Sequence, residues 1–142
     1  MGARVSTFIY CLGTTNLEGK DSPINAMGVV PVLTPEFIPS MFSFSIVLGV
    51  YGLDEQYSHL LDIVFKDSDG NTLVKADKIQ VSAEQLQAVG DELPEDYKGL
   101  MIGMDLRNVV IRKEGVYFTE VYLDGKKLGV FDIYAKSKQH EK

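Results

Sequence analysis

Apolar and polar residues alternate along most of this chain. Over 41–51 (MFSFSIVLGVY), Phe42, Phe44, Ile46, Leu48 and Val50 fall on one side. Met41, Ser43, Ser45, Val47, Gly49 and Tyr51 fall on the other. A period of two with one apolar face predicts a half-buried strand. The stretch from His59 to Lys66 repeats the pattern, with Leu61, Ile63 and Phe65 together. A Ser68-Asp69-Gly70-Asn71 turn follows, then a partner strand over Thr72 to Ile79. A two-residue turn at Asp69-Gly70 pairs Phe65 with Val74 and Ile63 with Ala76, and sets Asp62 against Asp77 at a small like-charge cost.

Residues 115–134 form a second hairpin, turning at Asp124-Gly125. That turn pairs Val121 with Leu128, Phe118 with Phe131 and Val116 with Ile133. The first pair and the last two lie on opposite faces. Either both faces are partly covered, or a bulge near Gly129 switches the side. Arg4 to Cys11, Ile24 to Leu33 and Leu100 to Arg112 are further strands. Gly28 and Pro31 make the second of these an edge or bulged strand, and the third bends at Gly103. Thr34 to Ser40 is a proline-stiffened connection. The one helix lies over Ala83 to Val89, capped by Ser82 and stopped by Gly90.

Seven or eight strands and one short helix predict an all-β fold, an antiparallel β-sandwich of immunoglobulin-like architecture, with a closed barrel as the competitor. Residues 1–134 form one domain and 135–142 a flexible tail. At 142 residues, a core large enough to fold without disulfides or metals is available.

Composition narrows the chemistry. Fourteen Lys+Arg against 20 Asp+Glu give a net charge of −6, which argues against nucleic-acid binding. No apolar run reaches the ~18–20 residues of a membrane helix. One cysteine and two histidines cannot build a zinc site. Cys11 sits within an apolar strand as an inert thiol, and His59 begins a strand as a hydrogen-bonded or solvated residue. No G-x-S-x-G elbow or phosphate-binding glycine motif occurs. The DSDGN run at 67–71 fails as a calcium loop, because Phe65 and Ala76 would stand at ligand positions one and twelve. Four acids in Asp91-Glu92-Leu93-Pro94-Glu95-Asp96 form a solvated loop, or a hard-cation site if the loop folds inward. No catalytic residue and no cofactor is assigned, and a cytoplasmic location is expected.

Met41, Val47 and Tyr51 make the outward side of the best strand less polar than a solvated sheet requires. Either the short helix or the 34–40 loop covers this face, or it meets a protein partner or a second copy of the chain. The seven tyrosines allow a carbohydrate- or small-ligand-binding surface as the alternative, weakened by the absence of Trp. A hydrolase working through Asp/Glu or a bound cation is a third reading.

The ending from Glu114 to Gly129 reads as G-x-Y, a strand, D-G and a strand. With Pro35, Ile38-Pro39 and the 67–70 turn, it is similar to uncharacterised small β-sandwich proteins of bacteria and their phages. That resemblance implies a bacterial or prophage source and a non-enzymatic accessory role, and brings no site residue with it.

Overall fold

The computed structural model describes residues 2–16, 23–87 and 93–138. Among these residues, nine strands form two sheets: β1 (Arg4–Asn16), β2 (Ile24–Val29), β3 (Val32–Leu33), β4 (Ser40–Tyr51), β5 (His59–Asp67), β6 (Thr72–Val81), β7 (Gly99–Ile111), β8 (Gly115–Leu123) and β9 (Lys126–Ala135). The first sheet has the order β2-β1-β4-β7 and the second β3-β9-β8-β5-β6. Every pairing is antiparallel except that of the two-residue β3 with β9. The series β1, β4, β7 opposite β5, β8, β9 reproduces the A-B-E and C-F-G sheets of immunoglobulin domains, with β6 added beside the C position. The fold is an immunoglobulin-like sandwich. Among the described residues no strand fills the D position: between β6 and β7 they contain only α1 (Ala83–Gln87) and a 3-10 turn at Glu95–Tyr97.

The alternating strand of 41–51 is central, flanked by β1 and β7. Its inward residues meet the second sheet, where the Phe44 ring lies 5.2 Å from Phe65, and Phe65 stacks on Tyr117 at 5.8 Å. Tyr117 also donates its hydroxyl to the Lys113 carbonyl at 2.7 Å, the tyrosine-corner arrangement of such sandwiches. Tyr10 bridges the sheets: its buried hydroxyl lies 2.7 Å from Thr119 Oγ1 and donates to the Phe131 carbonyl at 2.6 Å. Burial and the Asp132 charge hold the Tyr10 phenol well above its ordinary pKa, with the Thr119 bond acting the other way. Leu86 of α1 is fully buried in the core despite the helix's length.

Both hairpins form, the first with a shifted turn and the second with the expected turn and a shifted register. Phe65 pairs with Val74 and Ile63 with Ala76, as the sequence predicts. The turn itself runs through Ser68 and Asp69, with Gly70 N–H donating to the Asp67 carbonyl and Gly70 at φ 87°. Asp62 does not face Asp77. A bulge between Leu61 and Ile63 puts Lys78 at φ 56°, and Lys78 N–H donates to Asp62 Oδ1 at 2.7 Å. In the second hairpin, Asp124 and Gly125 both have positive φ, as a type I′ turn requires. The register then shifts between Val121 and Tyr122, so Val121 faces Gly129, Phe118 faces Asp132 and Val116 faces Tyr134. Of the two alternatives, the bulge is the one realised.

Other boundaries move. The Ile24–Leu33 segment is two strands in different sheets: Val30 N–H still bonds the Tyr10 carbonyl, then Pro31 ends the ladder and the chain crosses over. β7 is irregular at Asn108 (φ 55°), whose N–H donates to Ser43 Oγ, and not at Gly103. The expected tail at 135–142 is in part tied down: Ala135 is buried, and Lys136 and Lys138 donate to the carbonyls of Leu33 and Pro35. Residues 139–142, and 88–90 of the expected helix, lie outside the described residues.

Candidate functional site

Three residues were expected to form an outward apolar face, and the fold separates them. Met41 is 65% exposed, near the start of β4. Val47 is only 5% exposed, although it points away from the inter-sheet core. The far half of β1 and β2 bends over the outer face of its own sheet, so that Thr14 Oγ1 stands 3.1 Å from where a side chain on Gly103 would begin, two strands away. Cys11 and Ser45, on the same face as Val47, are buried with it. Burial pushes the Cys11 thiol up, against hydrogen bonds to Gly13 and Met27. Val47 is therefore no part of an exposed surface.

Tyr51, at the end of β4, is part of a different assembly. Arg4, its partner across the β1–β4 ladder, places its guanidinium carbon 5.2 Å from the Tyr51 ring and 5.3 Å from the Tyr97 ring. The two rings meet edge to face at 5.4 Å. Arg4 Nη1 is buried with no hydrogen-bond partner among the described residues, so the aromatic faces are what stabilise that side of the cation. Beside this corner lies a concavity of about 570 Å³, lined by Ser6, Tyr51, Leu93, Pro94, Tyr97, Gly99, Leu100 and Met101. Tyr97 is 53% and Met101 46% exposed.

Local sequence explains the corner. Pro94 opens the 3-10 turn of Glu95–Tyr97, which swings Tyr97 toward the end of β4. Gly99 is required because a Cβ there would strike the Val50 carbonyl oxygen. Lys98, between them, is buried and paired with Glu55. Its carbonyl accepts the N–H groups of Gly52 and Leu53.

The neighbouring loop holds His59. Its Nδ1 lies 2.7 Å from Asp124 Oδ2 and its Nε2 lies 2.8 Å from the Asp54 carbonyl. Carboxylate and carbonyl oxygens only accept, so this geometry favours the form in which both ring nitrogens donate, the imidazolium. Burial disfavours that charge, but the bonds to Asp124 and Asp54 outweigh it and raise the pKa above its ordinary 6.5. Asp124 shows the complement: burial acts upward, while hydrogen bonds from Leu60 N–H and His59 hold it below the usual carboxylate value. The adjoining concavity of about 340 Å³ is lined by His59, Asp124, Asp54 and Lys126, with Ala3, Gly52, Leu123 and Leu128. With both nitrogens engaged, His59 has no free position from which to take a substrate proton.

The remaining candidates stay apart. Asp67 caps its own turn, with Oδ1 accepting from Asp69 and Asn71. Of the acidic loop, residues 91 and 92 lie outside the described residues. Among the described residues, no three His, Cys, Asp or Glu side chains gather as a metal site, and no helix is long and apolar enough to cross a membrane. The tyrosines disperse: Tyr10 and Tyr117 are core, Tyr122 donates to Glu120, and Tyr51 and Tyr97 share the corner. Sequence reasoning did not find Arg4 or Tyr97, which lie far apart in the chain. The signal present was an Arg paired across from Tyr51, visible only once the β1–β4 register is known.

Residues 15–136 match the model of a family of unknown function, DUF6941. The chain belongs to that family. No curated protein matches it. Among solved structures, the DUF6941 chain is similar to the C-terminal domain of wzt (15% identity, TM-score 0.49, 99% of this chain and 75% of that one). It is also similar to an immunoglobulin-like protein of Pseudomonas aeruginosa (12% identity, TM-score 0.49, 96% and 98%). A third similarity is to the alkylpurine DNA glycosylase AlkC of Pseudomonas fluorescens bound to DNA containing an abasic site analog, at 7% identity and TM-score 0.45. That match takes in 94% of this chain and 30% of the other. Likenesses this distant say nothing about activity or ligand.

Proposed function

We propose that this DUF6941 chain is a non-enzymatic interaction module that docks a protein partner on the Tyr51–Tyr97 corner. The observation that carries the reading is the corner itself: Arg4 held between two tyrosines, beside exposed Leu93 and Met101, around a concave floor. Tyr, Arg and Met are the residue types enriched in interface centres. The engagement of both His59 nitrogens removes the best general base from competition. An accessory role in a bacterium, or from a prophage, belongs to the same reading and rests on the turn motifs alone, while a cytoplasmic location is proposed from the single cysteine and the short apolar runs.

A photo-crosslinking residue at Tyr97, with one at Val130 on the other sheet as control, tests it in the native host. The expected result is one defined protein adduct from position 97, absent from position 130 and lost on Leu93→Asp. Equal labelling from both positions counts against the corner.

A second reading keeps the site and changes the occupant. The concavity lies within the roughly 300–1,000 Å³ of small-molecule sites, and tyrosine faces suit the flat side of a sugar. A glycan array on which Tyr97→Ala abolishes a wild-type signal would favour it.

A further inference from the structure

The edges of the two sheets are not equally protected. β3 is two residues long, β2 carries Gly28 at φ 68°, and β6 is bulged at Lys78 and bears Lys75 and Asp77. Short length, bulges and charge are the devices that keep an edge from pairing. β7 from Gly99 to Met104 (GLMIGM) has none of them: no charge, no proline, and a regular register against β4. Among the described residues, no strand lies on its far side, where a D strand stands in immunoglobulin domains. Gly52 N–H bonds the Lys98 carbonyl, which fixes the phase of the ladder. By antiparallel alternation, the even residues of β7 bond β4, and Met101, Gly103 and Asp105 turn their N–H and C=O groups to the open side. The inward side chains of Leu100, Ile102 and Met104 are only half-buried.

We propose that β7 pairs antiparallel with β7 of a second copy of this chain, about a two-fold axis at Gly103. The edge is self-complementary in that register. Ile102 meets Met104 of the other copy and Leu100 meets Leu106, all on the inward face, and the two four-stranded sheets become one of eight strands. Asp105, the one charge in the paired stretch, faces Met101 of the other copy, so no like charges meet. A two-fold two residues further along would set Asp105 against itself. The occupant is thus a second copy, joined by an isologous contact. This dimer does not rest on docking at the corner.

Light scattering and native mass spectrometry of the full chain test it, with thermal unfolding to confirm that each variant is folded. Wild type is expected as a dimer. Met101→Asp places a carboxylate opposite Asp105 twice per dimer and weakens association roughly tenfold or more. Met101→Lys meets Asp105 with the opposite charge and keeps the dimer. Gly103→Pro deletes an open-side N–H and no bond to β4, while its ring presses on Thr14, and gives a monomer by a second route. Tyr97→Ala leaves the dimer intact, which separates this surface from the corner. A monomeric wild type overturns the proposal, as does loss of the dimer in both Met101 variants or in neither.

Discussion

His59 and Asp124, 65 residues apart in sequence, close the end of the second sheet with a 2.7 Å hydrogen bond between the start of β5 and the β8–β9 turn. The turn is fixed from the other side too: Leu60 N–H donates to Asp124 Oδ1, and Asp124 N–H donates to the Leu60 carbonyl. A histidine beside an acid in a concavity resembles a catalytic pair. The carbonyl of Asp54 on its second nitrogen makes it a clamp.

The clamp has a defined pH window. The folded pKa of His59 lies above its ordinary value, so its stabilisation is complete below about pH 6.5 and is lost as pH rises through the raised value. The folded pKa of Asp124 lies below 3.8, so its contribution is present above that pH and is lost as pH falls through the depressed value. Stability measured by urea unfolding is expected to fall on the alkaline side of this window. His59→Gln removes that slope and costs about 1–2 kcal/mol below pH 6, toward the lower end because Asp124 is half-exposed. An unchanged slope in the variant would assign the pH dependence elsewhere.

Asp62 is the acceptor that makes the β6 bulge tolerable. Lys78 adopts a left-handed backbone that ordinarily suits glycine, and its N–H is taken by the Asp62 carboxylate. Asp62→Ala leaves that N–H to water and should destabilise by about 1 kcal/mol. Lys78→Gly relieves the backbone cost and should recover part of that loss when combined with it. A double-mutant cycle in urea reads both. No loss of stability in Asp62→Ala would show that the bond does not hold the bulge.

Tyr10→Phe removes the polar bridge between the sheets while keeping the ring in the core. The change leaves the buried Thr119 hydroxyl and the Phe131 carbonyl short of a partner. The expected cost is about 1–3 kcal/mol in chemical unfolding with no change in slope against denaturant. Thr119→Val alone should cost less, since Tyr10 keeps its bond to Phe131.

Much of this fold was legible because period-two alternation is local. The β4 pattern and both Asp-Gly hairpins follow from neighbouring residues and turn chemistry, and Phe65–Val74 and Ile63–Ala76 pair as read. What was not legible depends on contacts far apart in sequence. The Lys78 bulge answers a carboxylate on another strand, and the His59 clamp needs Asp124. The corner needs Arg4, Tyr51 and Tyr97 from three separate segments. Alternation gives the outward direction of Tyr51, whose ring is half-buried at the corner. Val47 was misplaced for the same reason, because alternation says which way a side chain points and nothing about what bends over it.

That bend governs the one thiol. Cys11 and Val47 are shielded by the outer half of the β1–β2 hairpin, with Met27 lying against Gly13 and Thr14 against Gly103. A thiolate forms poorly in a buried apolar site, and burial raises this thiol's pKa. Native Cys11 should therefore resist an aromatic disulfide reagent at neutral pH and react fully in denaturant. Thr14→Gly removes the contact at Gly103 and leaves the inter-sheet core untouched. Labelling should then quicken several-fold with a change of less than about 1 kcal/mol in global stability, because opening is confined to the hairpin. Labelling that speeds up only in proportion to global unfolding would instead mean that the hairpin and the sandwich open together.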